Sequence, residues 1–282
     1  QMRGGDRTVV FETAMQERAA QRLQLEADLY RAVTFNQLHL NYQPLVALET
    51  LRPVGFEALV RWQHPRRGPI SPVEFVPLAE ETELIVPLGS WVLGEACRQM
   101  GEWRSRFGEG WPACTSINLS GIELGRPDLL SRLDRVLERT GIDGSHLELE
   151  ITESVFVDND RAIVEVLNQL RSRQIRACID DFGTGYSSLS YLQTLPVDTL
   201  KIDRAFVSDI ERSRKNFDIV KTIVTLARSL GLETIAEGIE TRQQLDILRD
   251  LGCEYGQGYY FSRPLDRAAC EVWMGATKSD SS

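Results

Sequence analysis

Seven β-rich, apolar segments of this chain carry a polar group inside them or just after them. They are Glu57 in GFEALVRW, Asn118 in SINLS, Glu150 in LELEITES, Asp180 and Asp181 in CIDDFGTG, Lys201 and Asp203 in LKIDR, Glu237 in TIAEGIE, and Gln257 in YGQGYYF. A single acid at a strand end is most simply a cap or an edge charge. Five carboxylates converging on one place are different, because like charges at close range cannot all stay ionised without cations. The set therefore predicts a metal site. Every candidate donor is oxygen, with no cysteine or close histidine pair among them, so Mg²⁺ or Mn²⁺ is favoured over zinc. Two such ions suit in-line attack on a phosphodiester. Lys201 fits among the acids as a neutralising charge, or as a group that positions water and helps deprotonate it; a structural salt bridge is the alternative.

What must position these groups is legible as alternating short β-rich and longer helical segments, the pattern of a parallel sheet wrapped by helices. Eight strands are predicted at 39–48, 54–62, 114–119, 147–151, 175–180, 199–202, 234–237 and 255–258. From the second strand onward each is followed by a helical stretch, for example at 126–139, 161–174, 216–230, 242–251 and 267–274. Only residues 49–53 join the first two strands, and a parallel crossover needs about a dozen residues, so these two should be antiparallel. The fold class expected is α/β, a (β/α)₈ TIM-like barrel with one antiparallel strand, whose functional groups project from the C-terminal strand ends. Period-2 alternation places Glu57, Leu59 and Arg61 on one face of the second strand. Arg61 could then grip a phosphate or stack on a base, or be an ordinary surface arginine. The loop at 181–188 carries Gly183 and Gly185, which allow close backbone approach.

Composition bounds the partners. The chain has 282 residues, 42% of them hydrophobic, enough for one large core or two modest ones. Its net charge of −9 argues against non-specific binding of DNA or RNA, so an anionic ligand needs local cations. Five scattered cysteines without a C-x-x-C pair read as reduced thiols of a cytoplasmic protein. No apolar run approaches the roughly 18 residues of a membrane span, so no direct membrane insertion is expected of this fragment, although a parent protein could be anchored. The chain starts with Gln1 and reads as a piece of something longer. Phe11, Met15, Ala19, Leu23, Leu29 and Val33 keep rough helical spacing, either a helix docked on the barrel or a signalling connector. The expected organisation is a linker helix at 1–34, a barrel at 35–275 and a flexible tail at 276–282.

With these residues in view, the sequence resembles the EAL-domain cyclic di-GMP phosphodiesterases from about residue 35 to 274. The motifs stand as YQP (42–44), Glu57-Ala58-Leu59 within EALVRW, INLS (117–120), ELEITES (148–154), DDFGTGYSSL (180–189), LPVDTLKID (195–203), AEGIET (236–241) and GQGYYFSRP (256–264). The resemblance implies metal-dependent hydrolysis of one phosphodiester of cyclic di-GMP to linear pGpG. It implies a first Mg²⁺ or Mn²⁺ on Glu57, Asn118, Glu150 and Asp180, and a second on Asp180, Asp181 and Glu237. Lys201 would hold or activate the water, with Gln257 supporting the water or the metal shell, so that Lys201, Glu57, Glu237 and Gln257 form the catalytic set. Glu153 would anchor the loop beginning at Asp180, while Gln43, Leu59, Arg61, Asp203 and Pro264 would contact substrate. It also implies a homodimer and, from the likeness of residues 8–34 to a GGDEF–EAL connector, an upstream GGDEF or sensory domain. Two other functions remain open at this stage. One is a non-catalytic cyclic di-GMP receptor, against which the intact acids and Lys201 count. The other is a barrel enzyme that abstracts a proton beside a carboxylate.

Overall fold

The computed structural model describes residues 6–35, 37–108, 113–156, 161–185 and 192–279. In chain order the elements are α1 (Asp6–Thr34), β1 (Leu38–Ala47), β2 (Pro53–His64), β3 (Gly68–Ile70), α2 (Pro72–Glu81), α3 (Ile85–Phe107), β4 (Cys114–Asn118), α4 (Gly121–Leu124), α5 (Leu129–Thr140), β5 (Leu147–Thr152), a 3₁₀ turn (Glu153–Phe156) and α6 (Arg161–Ser172). There follow β6 (Arg176–Phe182), β7 (Thr199–Ile202), α7 (Arg204–Val207), α8 (Arg214–Leu230), β8 (Glu233–Ala236), α9 (Arg242–Leu251), β9 (Tyr255–Gly256) and α10 (Arg267–Ser279). The chain divides into two compact units, 1–39 with 60–88, and 40–59 with 89–282.

The larger unit holds the barrel. From β2 through β4, β5, β6, β7 and β8 to β9, each neighbour is parallel. β1 pairs antiparallel with β9 and closes the ring onto β2. The Ala47 N–H donates to the Arg52 carbonyl at 2.9 Å, the tight return that the short 49–53 connection predicted. All eight strands read from the sequence are present, and the reversed strand is β1. The surrounding helices bury one stripe each at i, i+3, i+4 spacing: Leu129, Leu133 and Val136 on α5, and Val220, Ile223, Val224 and Ala227 on α8. α10 runs four residues into the expected tail, and 280–282 lie outside the described residues.

The smaller unit adds what the sequence reading did not foresee, the short strand β3, paired antiparallel to the end of β2, and helix α2. α1 presents Leu25, Asp28, Leu29 and Ala32 as its buried face, while Leu23 is exposed; the side chains of Phe11, Met15 and Ala19 lie outside the described residues. The pin is polar. Buried His64 accepts at Nδ1 from the backbone N–H groups of Arg66 and Arg67, at 3.1 and 3.0 Å, so its Nε2–H donates to Asp28, 3.2 Å away. Gln24 first, then His64 and Arg31, hold the Asp28 carboxyl below the usual carboxylate range against the opposing effect of burial.

Candidate active site

Lys201 is the hub of the barrel mouth. It sits on β7 with its side chain 1% exposed, and its Nζ lies 2.7 Å from Glu150, 2.7 Å from Glu237, 3.3 Å from Glu57 and 3.6 Å from Asp180. Four strands thus deliver carboxylates to one ammonium. Two amides complete the cluster: Asn118 Nδ2 donates to Glu57 at 2.9 Å, and Gln257 Nε2 donates to Glu57 at 2.8 Å and to Glu237 at 3.0 Å. The groups meet because each parallel strand ends at the same level. In register, Glu57 lies opposite Ser116 and Asn118 opposite Glu150, so C-terminal residues of neighbouring strands are adjacent.

Asp180 and Asp181 are consecutive, and simple alternation would send them to opposite faces. A register shift between β6 and β7 falls at this point, and Asp181 adopts φ 54°, in the left-handed region that non-glycine residues avoid. As a result, oxygens of Asp180, Asp181 and Glu237 all lie within 4.8 Å of one another. Asp203 starts α7 as its N-cap, accepting from the Ala205 N–H at 2.6 Å, and its side chain hydrogen-bonds Asp181.

One cation cannot balance this many acids. Burial and the neighbouring Glu57 charge raise the Glu150 carboxyl well above the usual carboxylate range, and burial with repulsion from Glu57 and Asp180 raises Glu237. Burial, then Asp180, push Asp181 up to about 7. Glu57 moves the other way: burial alone would raise it, but Lys201 and the Gln257 and Asn118 amides outweigh that and lower it. Burial opposes the ammonium of Lys201, yet the surrounding acids hold it well above the ordinary lysine range. The Oδ1 of Asp180 is buried without a hydrogen-bond partner. An orphaned carboxylate oxygen beside two further acids, all hard oxygen donors, fits a divalent cation.

Glu153 stands apart from the cluster. Its buried carboxylate accepts from the backbone N–H groups of Gly183 and Gly185, at 2.8 and 3.3 Å, across the segment that follows Asp180 and Asp181. Tyr186 and the rest of the DDFGTGYSSL motif lie outside the described residues. Gln43 and Leu59 line a cavity of about 240 Å³ together with Glu57, Glu237 and Gln257. Pro264 precedes Leu265, whose backbone pairs with Tyr42, next to Gln43. Arg61 belongs to the smaller unit, where its Nη1 donates to the Val60 carbonyl. Two further wall residues, Arg204 and Tyr259, escaped the sequence reading. Tyr259 follows Gln257 by two, but β9 is only two residues long, too short for alternation to be read.

The family model of the EAL domain matches residues 26–264. The chain is 41% identical over 278 residues to the cyclic di-GMP phosphodiesterase NbdA of Pseudomonas aeruginosa, across 98% of this chain and 35% of that protein. To the bifunctional diguanylate cyclase/cyclic di-GMP phosphodiesterase MucR of the same organism it is 43% identical over 255 residues, 90% of this chain and 37% of that one. The chain spans about a third of the length of these curated relatives. Among solved structures, a c-di-GMP complex of the PaMucR phosphodiesterase superposes with a TM-score of 0.82 at 43% identity, over 86% of this chain and 98% of that one.

Proposed function

The chain belongs to the EAL domain family, and from that premise we propose that it hydrolyses one phosphodiester of cyclic di-GMP to linear 5′-pGpG. The observation that carries the reading is the buried Lys201 among Glu57, Glu150, Asp180 and Glu237, with one Asp180 oxygen left without a hydrogen bond beside Asp181. Glu57, Asn118, Glu150 and Asp180 would hold one Mg²⁺ or Mn²⁺, and Asp180, Asp181 and Glu237 a second. When bound, such ions supply Lewis acidity toward a phosphodiester oxygen and lower the pKa of water.

The side chains do the rest. Lys201, held as an ammonium, orients the attacking water by donation and does not take its proton. The proton passes to a carboxylate oxygen of the cluster that lies within reach of the water. The water oxygen bonds to phosphorus, the bond to the 3′-oxygen breaks, and that oxygen leaves with the proton that the cluster took from the water. Gln257 fixes Glu57 and Glu237 relative to each other, and Glu153 anchors the chain after Asp181. Gln43, Leu59, Arg61, Asp203 and Pro264 are assigned to substrate contact.

The wider assignments are proposals of the same kind: a homodimer acting in the cytoplasm, with residues 1–34 as connector from a GGDEF or sensory domain, 35–275 as the catalytic barrel and 276–282 as a tail. Among the described residues no helix is long and apolar enough to cross a membrane. The test is turnover of cyclic di-GMP to pGpG with Mn²⁺ or Mg²⁺, in excess chelator, and in Glu57→Ala. Metal-dependent production of pGpG that Glu57→Ala abolishes supports hydrolysis. Tight nucleotide binding without product would make the chain a receptor, and protection by carboxylic acids instead of the dinucleotide would point to proton-abstraction chemistry.

A further inference from the structure

Helix α4, which follows β4, carries a further buried carboxylate. Glu123, 3% exposed, folds back on Ser120: its Oε2 accepts from the Ser120 hydroxyl at 2.9 Å and from the Ser120 N–H at 3.3 Å, while the Glu123 N–H donates to Ser120 Oγ. This is a reciprocal capping box at the start of α4. Such boxes usually lie at exposed helix ends. This one is buried because α3 offers Gly89 to it, and a Cβ there would fall 1.9 Å from Glu123 Oε1. Arg132 Nη1 lies 4.0 Å from the same carboxylate and donates to Ser90, next to Gly89.

The position of the box gives it a consequence. Ser120 is two residues past Asn118, whose amide holds Glu57, and between them the Leu119 N–H donates to the carbonyl of Glu150. Gly121, the first residue of α4, is packed on Val155, since a Cβ at Gly121 would lie 2.9 Å from a Val155 methyl. Val155 belongs to the 3₁₀ turn that begins with Glu153. One buried carboxylate therefore fixes the chain leaving Asn118 and the surface against which the Glu153 turn rests.

We infer that Glu123 is a positioning residue for the metal site: through Ser120 it sets Asn118 and the Glu57 carboxylate that Asn118 holds, and Gly89 is the vacancy that lets it do so. The inference rests on the reading of the mouth as a divalent-cation site. Outer groups that orient metal ligands are typically worth about ten- to a hundredfold in metal affinity.

Two substitutions approach the contact from opposite sides. Glu123→Ala removes the carboxylate. Gly89→Ala removes nothing and replaces a helical glycine by a better helix former, but it displaces the end of the Glu123 side chain. Thermal unfolding of wild type, both variants and Glu123→Gln is followed across a Mn²⁺ titration, alongside turnover of cyclic di-GMP over the same range. Both alanine variants should need about tenfold more Mn²⁺ for half-maximal stabilisation and for half-maximal rate. Glu123→Gln, which keeps an acceptor for Ser120, should stay within about threefold of wild type. Metal titrations of Glu123→Ala and Gly89→Ala that overlay wild type, whatever their metal-free stability, would overturn the inference while leaving the metal reading intact. A Gln variant as impaired as Ala would overturn it too. If wild type itself shows no Mn²⁺ stabilisation, the metal reading of the mouth falls, and this inference with it.

Discussion

Two polar layers lie one above the other inside the barrel, and they are built on opposite principles. The lower layer is Ser116, Glu148 and Thr199; the upper is Asn118, Glu150 and Lys201, each two residues further along β4, β5 and β7 and hence on the same inward face. In the lower layer one carboxylate is fully supplied with donors: Glu148 accepts from Ser116 at 3.1 Å and from Thr199 at 2.7 Å, and Arg176 stands 3.3 Å away. In the upper layer one ammonium faces four carboxylates and an acid oxygen has no donor. A satisfied buried network rigidifies a core, and an unsatisfied one is costly unless something else completes it. The difference teaches where binding energy is stored. In the lower layer the protein's own hydroxyls meet both oxygens of the carboxylate, whereas on the proposed reading the upper layer is completed by cations.

The largest break in that comparison comes from removing the hub. Lys201→Met should lower metal-supported turnover by about two to three orders of magnitude, the usual worth of a preorganised donor in an active site. It should also depress the thermal stability of the metal-free protein, since four acids lose their common counter-charge. Steady-state rates and melting with and without Mn²⁺ measure both, and wild-type turnover would make Lys201 purely structural.

Next in size is the anchor. A misplacement of about 1 Å at reacting atoms can cost roughly a hundredfold in rate, so Glu153→Ala, which frees Gly183 and Gly185, should lose activity on that scale. High Mn²⁺ should recover part of it. A rate-against-metal curve identical to wild type would reduce Glu153 to a bystander.

Glu148→Ala sharpens the contrast from below. It strands the Ser116 and Thr199 hydroxyls, at a cost of about 1–3 kcal/mol for unmet buried polar groups, visible as a lower urea midpoint of the metal-saturated protein. The Mn²⁺ concentration for half-maximal activity should not move. A shift matching that of Glu153→Ala would show that the two layers are one.

The smallest effect is in pH. With Asp181 raised from 3.8 to about 7, the metal-free folded protein keeps a proton that the unfolded chain has released. Its contribution to stability therefore declines as pH rises from about 4 to about 7 and is flat above. Metal uptake must expel that proton, so apparent Mn²⁺ affinity should fall about fivefold from pH 7 to 6. Calorimetry in buffers of different ionisation enthalpy counts the proton, and uptake without proton release below pH 7 would refute it.

The sequence by itself determined the barrel and the ring of mouth residues, because both depend on local signals. Alternation marks strands, helical stripes mark the layer around them, and the short 49–53 link forces β1 to run backwards. Since every parallel strand ends at one level, a polar group at each strand end implies a cluster without further information. Tertiary structure decided what local pattern cannot carry. The shift at β6 and the positive φ of Asp181 turn two neighbouring acids toward one point, against the alternation that the sequence implied. Glu148 could have been read from its two-residue spacing to Glu150, but whether it is charge-starved or satisfied depends on Ser116, Thr199 and Arg176, 32, 51 and 28 residues away along the chain. β3 is too short for a period, and α2 buries Phe75, Leu78 and Ala79 at helical spacing but carries Pro77 inside it, a residue that reads locally as a helix breaker. Glu123 looked like an ordinary helix cap until α3 placed Gly89 over it. Periodicity reports which way a side chain points, and only packing reports what it meets there.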